Sequence, residues 1–168
     1  SGRYGQKPDD VNAYAASSFY AVDRFASYKT DWGAFYREGG LVLSDRYTTS
    51  NAVHQCSKLP PAQWDGFLNW LFDFEYKKIG IPEPDLVLYL AVDPEVSQKL
   101  LENRYHGDES KKDIQEKDRE YMARSRAAAE YCARTLGWQR IECTCAGRAM
   151  RPVEEINAEI LAKTDRIL

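Results

Sequence analysis

The chain has 168 residues, enough for a domain with its own hydrophobic core, and its 43% apolar and 29% charged residues exclude an intrinsically disordered protein. The net charge is −3 with acidic and basic residues well mixed, which excludes the basic surface that long nucleic acid requires but permits a small anionic ligand. No apolar run is long enough to span a membrane, so we expect a globular cytoplasmic protein.

The first half of the chain is predicted to contain three helices and one buried strand. The spacing of apolar residues predicts a helix over residues 12–29 and a short helix over residues 31–37. The compact apolar run at residues 41–43 predicts a buried strand. A further helix is predicted to begin at Pro60 and to end at Gly80.

The second half is predicted to add two buried strands, over residues 86–92 and 138–144. A helix is predicted to begin at Pro94 with Asp93 as its N-cap, and further helices are predicted over residues 113–136 and 153–163. Alternating helices and apolar strands indicate the α/β class, with a parallel sheet flanked by helices. Three strands are few for such a sheet, so we expect that a first strand and helix precede this chain in the complete fold.

Two charged residues follow the first predicted strand. Asp45 there is typical of a Walker-B-like arrangement, in which a carboxylate reaches a magnesium–phosphate complex directly or through water. Arg46 can hold phosphate oxygens through two parallel hydrogen bonds. These two residues alone leave a simpler interpretation open, in which an Asp–Arg pair only caps the end of a strand.

Three ordered motifs resemble those of the thymidylate kinase family. The family's DR[YH]-x-x-S motif is matched by residues 45–54 (DRYTTSNAVH), and its aromatic-x-x-x-R motif by residues 20–24 (YAVDR). Its P-D-L-x-[LI]-[YF]-L strand is matched by residues 84–90 (PDLVLYL). The resemblance runs from residue 1 to about residue 160. It implies a P-loop nucleoside-monophosphate-kinase fold and phosphorylation of thymidine monophosphate (dTMP) to the diphosphate with ATP and Mg²⁺.

A base-binding site is expected where Tyr20 and Arg24 share one face of a helix. Tyr20 can stack on a pyrimidine while Arg24 donates to thymine O4, where cytosine presents a donor amine instead. Standing alone, the pair would indicate a core tyrosine and a surface arginine. By resemblance, Asn51 contacts the base, and His54 takes a position where the family often carries an aromatic side chain against the sugar; a turn histidine is the alternative. The resemblance also assigns dTMP contacts to Arg46, Ser50 and Tyr121.

Residues 104–113 resemble the family's lid. Arg104 matches the position whose guanidinium packs on the adenine of ATP, and Lys111 and Lys112 could neutralise the transferring phosphates when the lid closes. Arg148 matches the loop that cups the adenine ring. From composition alone, the lysines are equally typical of a solvated connection.

The sequence contains no G-x-x-x-x-G-K-[ST] motif, whose amides and lysine cradle ATP phosphates in this class of enzyme. The family places that motif before the position of our first residue. We therefore expect residues 1–168 to form a single, incomplete domain that holds dTMP and the lid but does not transfer phosphate unaided. A non-catalytic nucleotide-binding relative and a kinase of another nucleoside or nucleotide remain alternatives. The resemblance also implies a homodimer packed through helices.

Overall fold

The structure is a computed structural model that describes residues 5, 7–104, 118–146, 149–165 and 167. The described residues fall into two compact units. The first combines the residues up to Glu83 with Asp118–Glu130, and the second combines those from Pro84 with those from Tyr131 onward. None of the helices in the described ranges is long and apolar enough to cross a membrane.

Helix α1 (Ala13–Ser27) follows a short 3-10 turn, Pro8–Asp10, in the first unit. The Asn12 side chain caps α1 by accepting a hydrogen bond from the Ala15 amide at 2.9 Å. This bond satisfies one of the amides that every helix start leaves without a partner inside the helix.

The backbone continues from α1 through a π-helical turn, Tyr28–Trp32, into α2 (Gly33–Arg37). Gly39 follows α2 with a φ of +87°, a left-handed conformation that glycine adopts without steric cost. The two helices predicted for this part of the chain are therefore confirmed. The π-helical turn makes them continuous, whereas the sequence predicted two separate helices.

Helix α3 (Thr48–Cys56) was not predicted from the sequence, and it packs against both α1 and α4. Helix α4 (Trp64–Phe72) follows a 3-10 turn, Pro61–Gln63, and continues as a π-helical segment, Asp73–Ile79. Gly80 ends this segment with a φ of +78°. The long helix predicted to end at this glycine is therefore confirmed.

The core of the first unit lies between these helices. Phe67 and Leu71 of α4 are fully buried, as are Ala52 and Cys56 of α3. The indole N–H of Trp64 donates to the Cys56 carbonyl at 2.7 Å, so a large aromatic ring is buried without losing its polar partner. Apolar burial and this hydrogen bond together fix α3 on α4.

The prediction of a buried strand at residues 41–43 is wrong. This segment has no regular secondary structure, and Leu41 is 61% exposed and Leu43 is 93% exposed. A parallel strand needs a neighbour for its backbone hydrogen bonds and helices over its faces, and no strand pairs with this segment within the described ranges. The Walker-B-like arrangement predicted for Asp45 therefore lacks its strand in this structure.

The second unit contains the parallel sheet. Strand β1 (Leu88–Ala91) pairs in parallel with β2 (Gln139–Glu142), and Leu90 lies opposite the fully buried Ile141. Helix α7 (Val153–Thr164) packs on β2. Two of the three predicted strands are confirmed, and with them the parallel sheet flanked by helices.

Two further helices connect the strands in sequence. Helix α5 (Pro94–Arg104) starts where the Asp93 carboxylate accepts a hydrogen bond from the Glu95 amide at 2.8 Å, which confirms the predicted cap. Helix α6 (Arg119–Thr135) contributes its first part to the first unit and its last part to the second. The part of the predicted helix that precedes residue 118 lies outside the described residues.

Leu71→Ala is expected to lower the free energy of unfolding by about 2–5 kcal/mol, because truncating a fully buried leucine leaves a cavity. Leu43→Ala makes the same chemical change at a side chain that is 93% exposed, and we expect an effect below about 0.5 kcal/mol. Urea denaturation of both variants measures the difference. Equal losses would contradict the position of Leu43 outside the core.

Candidate functional site

Arg24 on α1 forms a buried ion pair with Glu75, in the π-helical segment after α4. Its Nε donates to Glu75 Oε2 at 2.7 Å and its Nη2 donates to Oε1 at 2.5 Å. The arginine side chain is 15% exposed and the glutamate side chain is 0% exposed. Two parallel bonds between a guanidinium and a carboxylate make a strong and directional contact. Arg24 is therefore a largely buried, paired residue and not a surface charge.

Glu75 was not predicted as a site residue, although the sequence contained a signal for it. It follows Leu71 by four residues and Leu68 by seven, so it continues the apolar face of a predicted helix. A carboxylate on such a face must be buried, and a buried carboxylate requires a partner. This pattern predicts that Glu75 is buried, but it does not identify Arg24 as its partner.

Asn51 of α3 contacts the same carboxylate. Its Nδ2 lies 3.3 Å from Glu75 Oε1 and 3.4 Å from the Ser17 carbonyl oxygen, and the side chain is buried. Both neighbours are acceptors, so the orientation of the amide is fixed with its NH₂ group toward them. The structure thus brings together Arg24 and Asn51, two residues predicted to contact the base.

Tyr20 lies one turn before Arg24 on α1 and is 51% exposed. Residues four apart on an α-helix lie on the same face, so Tyr20 and Arg24 share one face of α1. A half-exposed aromatic ring on a face that also carries a fixed polar group is a suitable platform for a planar ligand. This arrangement agrees with the stacking role predicted for Tyr20, which remains a prediction.

Arg46 has a φ of +68°, the one positive φ at a non-glycine residue in the described part of the chain. An L-residue in this conformation costs about 1–2 kcal/mol, so it persists only where its surroundings hold it. Its Nε donates to the Ser50 hydroxyl at 2.8 Å, and the Ser44 hydroxyl donates to its carbonyl at 3.0 Å. Arg46 and the neighbouring Asp45 are both exposed.

The residues that follow Arg46 are anchored in the first unit. The Tyr47 hydroxyl donates to the Pro82 carbonyl at 2.9 Å, and Thr48 Oγ1 lies 2.5 Å from the Tyr76 hydroxyl. Burial raises the pKa of Tyr47 and raises the pKa of Tyr76 to about 12, since removal from water disfavours the phenolate. These anchors hold the strained backbone of Arg46 in place.

His54 and Tyr121 form a second polar pair. His54 Nδ1 lies 3.1 Å from the Tyr121 hydroxyl, and the two rings are stacked with an interplanar angle of 10°. Tyr121 is 1% exposed, and burial raises the pKa of its hydroxyl. In this structure Tyr121 is covered by protein, whereas a direct dTMP contact was predicted for it; that contact remains a prediction.

The residues predicted for the lid and for ATP are described only in part. Arg104 is the last residue of α5 in the second unit, and it is exposed. Lys111, Lys112 and Arg148 lie outside the described residues.

The chain is similar in sequence to known thymidylate kinases. The family model for thymidylate kinase matches residues 4–145. A thymidylate kinase of Mycobacterium tuberculosis (strain CDC 1551 / Oshkosh) is 30% identical over 139 residues, which cover 82% of this chain and 63% of the relative. A probable thymidylate kinase of Staphylothermus marinus is 33% identical over 88 residues, 52% of this chain and 40% of the relative. The chain thus spans less than two thirds of the length of these relatives.

Replacement of Arg46 by glycine and by alanine should separate its backbone strain from its side chain. Both variants lose the hydrogen bond to Ser50, but only Arg46→Ala keeps a Cβ in the left-handed conformation. We expect Arg46→Gly to be more stable than Arg46→Ala by about 1 kcal/mol in chemical denaturation. Equal stabilities would show that the backbone at this position carries no strain.

The free energy of unfolding is expected to fall as the pH rises from 10 toward 12. In the folded chain Tyr76 has a pKa of about 12, whereas the ordinary pKa of tyrosine is 10.0. Between these two pH values the unfolded state loses the Tyr76 proton while the folded state keeps it, so the unfolded state is favoured as the pH rises. Its contribution to the slope is about 1.4 kcal/mol per pH unit. Denaturation at several alkaline pH values should show a shallower loss for Tyr76→Phe; identical slopes would contradict this assignment.

Proposed function

The chain belongs to the thymidylate kinase family, and from that premise we propose that it binds dTMP as the acceptor of a phosphoryl group from ATP. The observation that carries the proposal is the cluster of Tyr20, Arg24, Asn51 and Glu75 in the first unit. This set combines an aromatic ring and a fixed guanidinium on one face of α1 with an oriented amide and a buried carboxylate on two elements that pack against α1. A planar base with both donors and acceptors on its edge is the ligand that suits this set.

Thymine fits the cluster better than cytosine does. Arg24 uses Nε and Nη2 for Glu75, which leaves the Nη1 end of its guanidinium to donate to thymine O4. Asn51 directs its NH₂ group toward Glu75 and Ser17, which leaves its carbonyl oxygen to accept from thymine N3–H. Cytosine carries a donor amine and an unprotonated nitrogen at these two positions, so both contacts would be lost.

Arg46 is the proposed contact for the dTMP phosphate, with Ser50 beside it. Its guanidinium is exposed and attached to a backbone that its neighbours hold in an unusual conformation. Strained positions of this kind occur at ligand-binding sites, where the strain fixes a side chain in its working position. His54 and Tyr121 are proposed to support the sugar through their mutual hydrogen bond.

Mg²⁺ and ATP are the proposed cofactor and donor, as in the family. Mg²⁺ typically binds one or two carboxylates and completes its coordination with phosphate oxygens and water, and it would neutralise phosphate charge. Asp45 suits that role because its carboxylate is exposed next to Arg46. Arg104, Lys111, Lys112 and Arg148 are the proposed contacts to ATP and the lid. A homodimer in the cytoplasm completes the proposal.

Tyr20→Ala is expected to weaken dTMP binding about tenfold, because stacking of a base on an aromatic ring contributes about 1–3 kcal/mol. Isothermal titration with dTMP measures the affinity. Phe35→Ala is the matched control, since Phe35 is 56% exposed and Tyr20 is 51% exposed. Equal affinities for the two variants would remove the stacking role, and a wild-type chain that binds dTMP no better than deoxycytidine monophosphate (dCMP) would overturn the proposed function.

Phosphoryl transfer needs a separate assay, because the G-x-x-x-x-G-K-[ST] motif is absent from the sequence. The alternative of a nucleotide-binding relative without catalysis rests on that same observation. The assay incubates the 168-residue chain, verified by mass, with ATP, Mg²⁺ and dTMP, and it measures the thymidine diphosphate that is formed. Turnover would show that other groups replace the motif; dTMP binding without turnover is the outcome that we expect from this chain alone.

A further inference from the structure

We infer that Glu75 sets the base selectivity of the proposed dTMP site, as a positioning residue that need not touch the ligand. The inference rests on the proposed function. Its basis is that one carboxylate, 0% exposed, accepts hydrogen bonds from both of the side chains proposed to contact the base edge. Within the described ranges, Glu75 is thus the shared hydrogen-bond partner of Arg24 and Asn51.

An ionised carboxylate can only accept hydrogen bonds, and this property fixes the polarity of its neighbours. Asn51 has an amide that could in principle present either its NH₂ group or its oxygen to a ligand. Glu75 Oε1 at 3.3 Å and the Ser17 carbonyl at 3.4 Å both require the NH₂ group on their side. The oxygen of Asn51 is therefore the atom left for the base, which must then offer a donor.

Arg24 is fixed in the same way. Its guanidinium contacts Glu75 through two nitrogens in one plane, so the direction of the remaining nitrogen is determined as well. The pair then presents a donor from Arg24 beside an acceptor from Asn51. Thymine and uracil carry the complementary acceptor and donor at O4 and N3–H, whereas cytosine carries the reverse at both positions.

A glutamine at position 75 would remove the carboxylate's share of this constraint without much change in volume, while the Ser17 carbonyl at 3.4 Å would still favour the NH₂ group of Asn51 on its side. The glutamine amide can donate as well as accept, so the opposite orientation of Asn51, with its NH₂ group toward the ligand, costs less than it does beside a carboxylate. Arg24 would lose the ionic part of its contact and its fixed direction. The variant should therefore bind dTMP less well and discriminate less against dCMP.

The experiment measures the dissociation constants of dTMP and dCMP for wild type and Glu75→Gln by isothermal titration. We expect the ratio of the dCMP constant to the dTMP constant to fall about tenfold in Glu75→Gln. If Glu75 had a purely structural role, its replacement would weaken the binding of dTMP and of dCMP alike and leave this ratio unchanged. Tyr76→Phe is the matched control: it removes the 2.5 Å contact to Thr48 from the adjacent residue, and we expect it to lower stability while keeping the ratio.

Glu75→Asp carries the test if Glu75→Gln does not fold, because aspartate keeps a charge near Arg24 but shortens the side chain by one methylene. The contact to Asn51 is already 3.3 Å long, so the shorter carboxylate should lose it, and the ratio should again fall. If the wild-type chain prefers dTMP and a folded Glu75 variant keeps the same ratio of dissociation constants, this inference is wrong and the proposed function stands. A wild type with no preference for dTMP would overturn the proposed function and this inference with it.

Discussion

A carboxylate that is wholly removed from water must be compensated by charge and by hydrogen bonds, and Glu75 meets this constraint through three parts of the first unit. Arg24 comes from α1, Asn51 comes from α3, and Glu75 itself comes from the π-helical segment after α4. Any shift of one element would leave a buried charge or amide without its partner. The relative placement of these elements is therefore fixed by a polar contact as well as by the apolar core of Phe67 and its neighbours.

The π-helical segment supports the proposed phosphate contact as well as the base contacts. Glu75 holds Arg24 and Asn51, while the adjacent Tyr76 holds Thr48, the first residue of α3. The ring of Tyr76 also stacks on that of Phe72, the last residue of α4, with centroids 5.4 Å apart and an interplanar angle of 1°. Two consecutive residues thus support the two halves of one proposed site.

The sequence predicted the elements whose signals are local. Helix α1, the helix that ends at Gly80 and the strands β1 and β2 follow from the spacing of apolar residues, a glycine stop and apolar runs. The apolar run at residues 41–43 failed as a strand because strand formation depends on a neighbour, which no local pattern reports. The family motifs predicted Arg24 and Asn51 as site residues, but they did not predict that Glu75 is the partner of both. It lies 51 residues from Arg24 and 24 residues from Asn51, and its role exists only once three helical elements have packed.

The two halves of the proposed site differ in how they are prepared for a ligand. The base-contact groups are already bound to Glu75 and largely withdrawn from solvent, so little side-chain freedom is left to lose when a base arrives. Arg46 is instead exposed, and the anchors at Tyr47 and Thr48 hold its backbone more firmly than the single bond to Ser50 holds its guanidinium. Binding of a phosphate must therefore order the Arg46 side chain, at an entropic cost of up to about 2 kcal/mol. Selectivity is thus expected to reside mainly in the rigid base contacts, whereas the phosphate contact adds affinity that is common to all pyrimidine monophosphates.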